Sequence, residues 1–244
     1  MCDVNYFFSP TNRYSFSEKL FKGNIMKKHL IIFIILSFTG ISVFSQGVRF
    51  GIFAEPKIIW FTPDLNTSYE NEGVRMGFNA GLMMDNYFTE NYAFSTGVSI
   101  NNISGALITT APREMETESG TIALADDTKA IYKLQYVNVP LGLNLRTNPI
   151  GYWTFNSRVG VTSAFNVKSR IDSKENDINN GDLQEEINLY NLGYHFGAGV
   201  EYSLGGSSAL SLMVMYRNYF LDITKSEDDN MTFSNISLKV GLIF

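Results

Sequence analysis

A chain of 244 residues with a formal net charge of −5 is too acidic for a typical nucleic-acid-binding protein, whose binding domain is basic. Its single cysteine is Cys2, so the rest of the chain can form neither disulfides nor cysteine-ligated metal sites. Its length fits one large domain, and the order of its elements decides which kind.

The N-terminal part resembles an export signal rather than a folded segment. Residues 1–25 show no periodicity, and we predict that they are an over-called extension and that translation begins at Met26. Two lysines after Met26 precede an apolar run from Leu30 to Ile41, and small residues follow it. This pattern predicts a signal peptide over residues 26–45 and a mature chain from Gln46 to the end. The apolar run is shorter than the about 20 residues that a helical membrane anchor needs.

Four segments of the first half of the mature chain alternate apolar and polar residues with a period of two, which is typical of β-strands. They are Val48–Trp60, Val74–Asp85, Tyr92–Asn101 and about Ala130–Arg146. The fourth segment changes phase, because Lys133 and Gln135 share one parity and Asn138 the other. One extra residue near Tyr136, a β-bulge, would reconcile its two halves.

Four more segments of this kind follow in the second half. They are Trp153–Lys168, Leu189–Ser203, Ala209–Phe220 and Phe233–Phe244. Trp153–Lys168 is the clearest, with large apolar residues on one parity and Thr, Asn, Arg and Lys on the other. The total of eight strands is an even number, as single-chain bacterial membrane barrels have.

The connections alternate between short and long. The short ones are Asn86–Glu90, Thr147–Ile150 and the Gly205-Gly206 turn, and the long ones are Phe61–Gly73, Asn102–Lys129, Ser169–Asn188 and Leu221–Asn230. Strand pattern and loop lengths together predict an all-β fold, an eight-stranded antiparallel transmembrane β-barrel with short periplasmic turns and long extracellular loops. Such a barrel lies in the outer membrane, where lipid and lipopolysaccharide would surround it.

A soluble β-sandwich or lipocalin-like barrel is the alternative fold, since it also has turns at regular spacing. Its polar face would be rich in Lys and Glu, whereas the polar parity of this chain is rich in Gly, Asn and Ser. The near-zero mean hydropathy of −0.03 does not oppose the membrane barrel, because lumen-facing polar residues dilute its lipid face.

Charge is sorted by location. The long loops hold most of the acidic residues, without the spacing of a calcium-binding loop. The inward parity is mainly basic, and its predicted lumen charge network is Arg49, Lys57, Arg75, Arg146, Arg158, Lys168, Glu201, Arg217 and Lys239. An eight-stranded barrel is just wide enough for its side chains to fill, which favours a packed structural core over a narrow anion-selective pore. Within this core, Glu201 is the predicted partner of Arg158.

Candidate catalytic residues are scarce. The only histidine of the mature chain, His195, has inward parity, whereas Ser163 on the neighbouring strand points outward. A general base must reach its nucleophile by a hydrogen bond, and no residue pair offers that geometry. We therefore expect no catalytic, cofactor-binding or metal-binding residues and no enzymatic activity.

Several segments resemble the small outer-membrane β-barrel proteins of the Bacteroidota, the broad porin family or PorT-like group. They are the signal ending at Ser45, the stretch Gln135–Leu143, the Gly-rich strand Gly193–Gly199 and the aromatic end Gly241–Phe244. The resemblance covers nearly all of the mature chain and implies an outer-membrane barrel, but this group shares no common chemistry.

The expected function is therefore of a non-enzymatic structural or surface-interaction type, which includes an accessory role in secretion or envelope assembly. A narrow porin-like channel for small solutes and a lipid-modifying enzyme are the alternatives. A last amphipathic strand that ends on Phe244 resembles the signal read by the barrel-assembly machinery, which we expect to be a partner.

Overall fold

The computed structural model describes residues 47–64, 69–110, 112–117, 120–124, 126–173, 178–225 and 230–244. The predicted extension with Cys2, the predicted signal peptide over 26–45 and the acidic run 227–229 lie outside the described residues. Among the described residues, no helix is long and apolar enough to cross a membrane.

The described residues form twelve strands, eight of which build the barrel wall. The eight are β1 (Gly47–Pro63), β3 (Arg75–Tyr87), β4 (Tyr92–Thr109), β7 (Lys129–Arg146), β8 (Trp153–Ser173), β10 (Tyr190–Gly205), β11 (Ser208–Tyr219) and β12 (Met231–Ile243). The four short strands are β2 (Tyr69–Asn71), β5 (Arg113–Thr117), β6 (Gly120–Leu124) and β9 (Ile178–Asp182). β2 pairs with β4, β9 pairs with β8, and β5 and β6 form a separate hairpin.

Each wall strand pairs antiparallel with both of its neighbours, in the order β1–β3–β4–β7–β8–β10–β11–β12. The pairing of β12 with β1 closes the ring, from Gly51 opposite Ile243 to Pro63 opposite Met231. The backbone amides and carbonyls of Phe50 and Phe244 exchange two further hydrogen bonds, of 3.0 and 2.8 Å. The predicted eight-stranded antiparallel barrel is confirmed.

A lipid-facing band surrounds the barrel, because alternate residues of each strand expose large apolar side chains. On β8 and β10 this band has aromatic pairs at both edges, Trp153 against Tyr202 and Phe165 against Tyr190, with ring centroids 4.9 and 5.4 Å apart. The strand from Trp153 to Phe165 rises about 40 Å, or about 30 Å along the membrane normal at a tilt of about 45°, which matches the hydrocarbon core.

Several strands continue past this band on the extracellular side. β4 reaches Thr109 and β8 reaches Ser173, whereas the sequence pattern ends these strands at Asn101 and Lys168. In these extensions the polarity of the two faces is partly reversed: the large apolar residues Ile103, Leu107 and Ile171 point inward, and the residues that point outward include Asn102, Ser104, Lys168, Arg170 and Asp172. The surroundings explain this reversal. Water surrounds the extensions, so their outer face is polar and their inner face packs as an apolar core, as in a soluble barrel.

This reversal corrects the predicted phase change in the fourth strand. β7 keeps one phase throughout, with Tyr132, Leu134 and Tyr136 buried and Lys133 on the outer face. The irregularity does lie at the pairing of Gln135 and Tyr136, but the extra residue is in β8. Gln135 pairs with Lys168 and Tyr136 pairs with Asn166, so Val167 between them has no partner in β7.

Candidate functional site

The polar lumen is organised around three carboxylates, and Glu55 of β1 is the most enclosed of them, with no exposed surface. The guanidinium of Arg217 on β11 binds both of its oxygens, with Nη2 3.2 Å from Oε2 and Nη1 on Oε1. Asn79 donates to Oε2 at 3.0 Å, and the hydroxyl of Ser237 donates to Oε1. A buried carboxylate is tolerated when it is paired and hydrogen-bonded in this way.

Asp85 of β3 is the second carboxylate, and its partner is Arg158 of β8. Arg158 Nη2 lies 2.6 Å from Asp85 Oδ2, and Arg158 Nη1 donates to the hydroxyl of Ser95 at 2.6 Å. Asn144 donates to the same carboxylate oxygen at 2.9 Å. The predicted pairing of Arg158 with Glu201 is therefore wrong, because the tilt of the strands carries Arg158 across the lumen toward β3.

Glu201 of β10 is the third carboxylate and lies near the periplasmic end. Arg49 Nη1 and Arg146 Nη2 both donate to its Oε2, at 2.9 and 2.8 Å. Asn156 donates to Oε1 at 3.2 Å. A cavity of about 330 Å³ opens between the periplasmic turns, and Arg49, Arg146 and Glu201 are among its lining residues. It does not reach the other end of the barrel, since its lining residues all belong to periplasmic strand ends and turns.

Among the described residues, cations outnumber carboxylates in the lumen. Lys57 donates to the side-chain oxygen of Asn101, and Lys239 Nζ lies 3.9 Å from the centroid of the Phe53 ring. With the four arginines above, six cationic side chains thus face three carboxylates. Contacts of ammonium groups with amide oxygens and aromatic faces lower the cost of burying this excess positive charge.

Two residues of the predicted lumen charge network lie elsewhere. Arg75 is at the extracellular end of β3, is 34% exposed and lies 3.8 Å from Glu72. Lys168 is exposed on the outer face of the barrel. Its predicted inward position is wrong, because the bulge at Val167 turns two successive residues outward.

His195 is buried, and its Nδ1 lies 2.9 Å from the hydroxyl of Thr162 on β8. Ser163 points outward and lies 3.3 Å from the hydroxyl of Tyr190. The described residues include no group of three or more His, Cys, Asp or Glu side chains that could hold a metal ion.

The extracellular half of the lumen is apolar. We call the buried residues that fill it the extracellular apolar cluster: Ile59, Phe61, Tyr69, Ile103, Leu107, Ala130, Tyr132, Leu134, Tyr136, Ala164, Ile171, Leu183, Ile187, Tyr219, Ile223, Met231 and Phe233. The rings of Tyr219 and Phe233 stack, with centroids 4.3 Å apart and 15° between their planes. Asn138 donates to the hydroxyl of Tyr219 at 3.0 Å, which joins the polar lumen to this cluster.

Sequence reasoning missed the extracellular apolar cluster. Its signal is present in the Leu, Tyr and Ile residues that share the inward parity of Ala130–Tyr136 and follow Asn101 in β4. The alternation by itself places those residues in a lipid-facing phase or in a loop, because polarity alone does not distinguish a lumen from a soluble core. Gly105 shows how tightly this part is packed, since an added Cβ would overlap the Phe61 ring.

The family described as Outer membrane protein beta-barrel domain matches residues 42–186. A search of the curated proteins finds no match. Among solved structures, Neisserial surface protein A is 12% identical, with a TM-score of 0.47, 81% of this chain covered and 98% of that chain. The outer membrane protein OprG from Pseudomonas aeruginosa is 9% identical, with a TM-score of 0.45, and 82% of this chain and 97% of that chain are covered.

Proposed function

Since the chain belongs to the Outer membrane protein beta-barrel domain family and lies in the outer membrane, we propose that it is a closed, non-enzymatic barrel that holds an extracellular surface for interaction. The extracellular apolar cluster is the observation that carries this proposal. Tyr132, Tyr136, Tyr219, Phe61 and Phe233 fill the outer half of the lumen and are fully buried. Among the described residues, aromatic side chains packed to this extent oppose a hydrated path for solutes through the lumen.

The length of the strands supports a role outside the membrane. Transmembrane barrel strands need about 9–11 residues to cross the bilayer. β4 has 18 residues and β8 has 21, and their outer ends carry β2 and β9 on the extracellular side. A wall that rises this far beyond the bilayer is a rigid support for the long loops. Rigid elements that present loops are a common basis of recognition.

We also propose that the chain is a member of the Bacteroidota PorT-like group and has an accessory role in secretion or envelope assembly. Its support is the Val139-Pro140-Leu141 segment in the middle of β7, where Val139 and Leu141 lie on the outer face and Pro140, opposite Thr162, lies on the lumen side. The contact of His195 with Thr162 supports the non-enzymatic part, because a histidine held by a wall hydroxyl acts as a structural hydrogen-bonding group. Lipid A mass spectra from cells with and without the protein should be identical.

A narrow anion channel is the second candidate, favoured by the six cations that face three carboxylates in the lumen. Conductance in planar bilayers separates the two functions. The closed barrel should show no reproducible single-channel step, and neither the exposed-loop control Lys225→Glu nor the folded fraction of Arg158→Glu should show one. A reproducible step in the wild-type protein whose size or ion selectivity changes in Arg158→Glu but not in Lys225→Glu would establish the channel instead.

A further inference from the structure

The outer wall changes character directly beyond the lipid-facing band on β4, β7 and β8. In the pairing register, Asn102, Gln135 and Lys168 form one outward row, and Ser104, Lys133 and Arg170 form the next row away from the membrane. Lys168, the β8 member of the first row, follows Phe165 by three residues, and Phe165 lies at the outer aromatic edge of the band. These polar side chains therefore lie at the level of the headgroups of the outer leaflet.

The two rows enclose a groove of about 420 Å³ on the outside of the barrel, which we call the cationic groove. Its lining contains the three cations Lys133, Lys168 and Arg170 and no carboxylate among the described residues. Gln135 Nε2 donates to Asn102 Oδ1 at 2.9 Å, which fixes two amides in the floor of the groove. Met76 also lines it.

The charges around the groove are only partly neutralised. Lys133 pairs with Asp172. Burial raises the pKa of Asp172, but the hydrogen bonds from Lys133 and the backbone of Asn180 outweigh burial and hold that pKa below its ordinary value. Arg170 Nη1 lies 3.5 Å from Asn180 Oδ1, and Asp182 is opposite Arg170 on β9. Lys168 has no ion-pair partner among the described residues, so the side of the groove nearest the membrane keeps positive charge.

Among the described residues, three wall strands on other parts of the barrel carry no such charge at this level. On β1, β11 and β12, the outward residues just beyond the lipid-facing band are Thr62, Asn218 and Ser234, which carry no charge. General attraction to an anionic membrane surface would not require such an arrangement. One cationic side with a concave shape fits a single anionic headgroup.

We propose that the cationic groove binds a phosphate group of an anionic glycolipid in the outer leaflet. Arg170 supplies a planar guanidinium that can bind two phosphate oxygens, and Lys133 and Lys168 supply ammonium groups at neighbouring positions. The acyl chains of the same lipid would lie along the apolar wall below, beside Phe165 and Val167. This inference depends on insertion in the outer membrane and not on whether the lumen is closed.

The test is native mass spectrometry of the full mature protein in detergent, titrated with phosphorylated lipid A or with the same lipid A dephosphorylated. The wild type should bind the phosphorylated form more tightly. In the double variant Lys168→Gln/Arg170→Gln this preference should fall by about fivefold for each cation removed, or about 25-fold for the pair, as basic residues near anionic lipid typically contribute. A heat-modifiable gel shift verifies that each variant is folded.

Lys129→Gln is the matched control. Lys129 is also an outward cation of β7, but it pairs with Glu72 and does not line the groove, so this variant should keep the wild-type preference. Equal binding of both lipid A forms by the wild type, or an unchanged preference in the double variant, would overturn the proposal. Competition by inorganic phosphate at the same concentration as the lipid would assign the groove to a free anion and overturn the lipid assignment.

Discussion

Arg158 shows how a single charged residue can lie inside a membrane barrel. Its side chain is 5% exposed, and its guanidinium binds the carboxylate of Asp85 and the hydroxyl of Ser95 on two other strands. Transfer of either charge from water into the lumen is costly, and the pairing offsets this cost only while both partners are present. The same reasoning applies to Glu55 with Arg217.

Replacement of Arg158 by alanine should therefore destabilise the barrel by about 3–5 kcal/mol, because it leaves Asp85 buried without its charged partner. The measurement is urea-induced unfolding of the refolded protein in lipid or detergent. Glu185→Ala, which changes an exposed loop carboxylate, should alter the free energy of unfolding by less than about 0.5 kcal/mol. Small and equal effects of both substitutions would indicate that water solvates Asp85 and that the lumen is open.

At the scale of the element, β8 combines two environments in 21 residues. From Trp153 to Phe165 its exposed face is apolar and suits lipid, whereas Lys168, Arg170 and Asp172 suit an aqueous exterior. The bulge at Val167 separates the two parts and keeps an apolar residue, Ile171, on the inner face of the outer part. A β-bulge of this kind adds one residue locally and leaves the register on either side intact.

Deletion of Val167 should be tolerated, because that residue has no partner in the register with β7 and its removal leaves regular alternation. Deletion of Val161, which pairs with Leu141, should prevent folding. In that case a shift by one residue would move the lumen-facing side chains of one half of β8 to the lipid face and the lipid-facing ones to the lumen. The readout is the heat-modifiable band on unboiled gels after refolding. If both deletions abolish that band, the extra residue at Val167 is required for the fold.

At the scale of the whole molecule, closure of the ring depends on the pairing of β12 with β1. Every wall strand then has two neighbours, so no backbone edge is exposed to lipid, where unpaired amides and carbonyls are very costly. Phe244 extends this seam by two backbone hydrogen bonds with Phe50, and its side chain is 52% exposed on the lipid side. Inside the ring, polarity runs from charged groups at the periplasmic end to aromatic groups at the extracellular end.

Deletion of Phe244 should lower the amount of folded barrel in the outer membrane, because it removes both hydrogen bonds and the terminal aromatic side chain. Phe244→Leu keeps the backbone bonds and isolates the contribution of the ring. We expect an intermediate level for Phe244→Leu, measured by heat modifiability of outer-membrane fractions, if the barrel-assembly machinery reads the aromatic residue. Wild-type levels of both variants would show that neither feature matters for insertion.

The wall of the barrel was predictable from sequence because its causes are local. A period of two assigns each residue to a face, and in Trp153–Phe165 or Tyr190–Tyr202 the lipid face is so apolar that the phase is unambiguous. Short turns such as Gly205-Gly206 then fix antiparallel neighbours. The inward positions of Arg49, Lys57, Arg146, Arg158, Glu201, Arg217 and Lys239 follow from the same alternation.

Which charges meet, and where the lumen turns apolar, was decided by the tertiary structure alone. Arg158 and Asp85 are 73 residues apart in the chain, and only the stagger of the strands brings them together across the lumen. Local sequence also does not decide which side chains face inward beyond the membrane. In lipid the apolar residues of an alternating strand face outward, whereas in water they face inward. Tyr132, Leu134 and Tyr136 therefore point inward, and Lys168 points outward at a bulge that lies in β8, whereas the sequence pattern places it in the fourth strand.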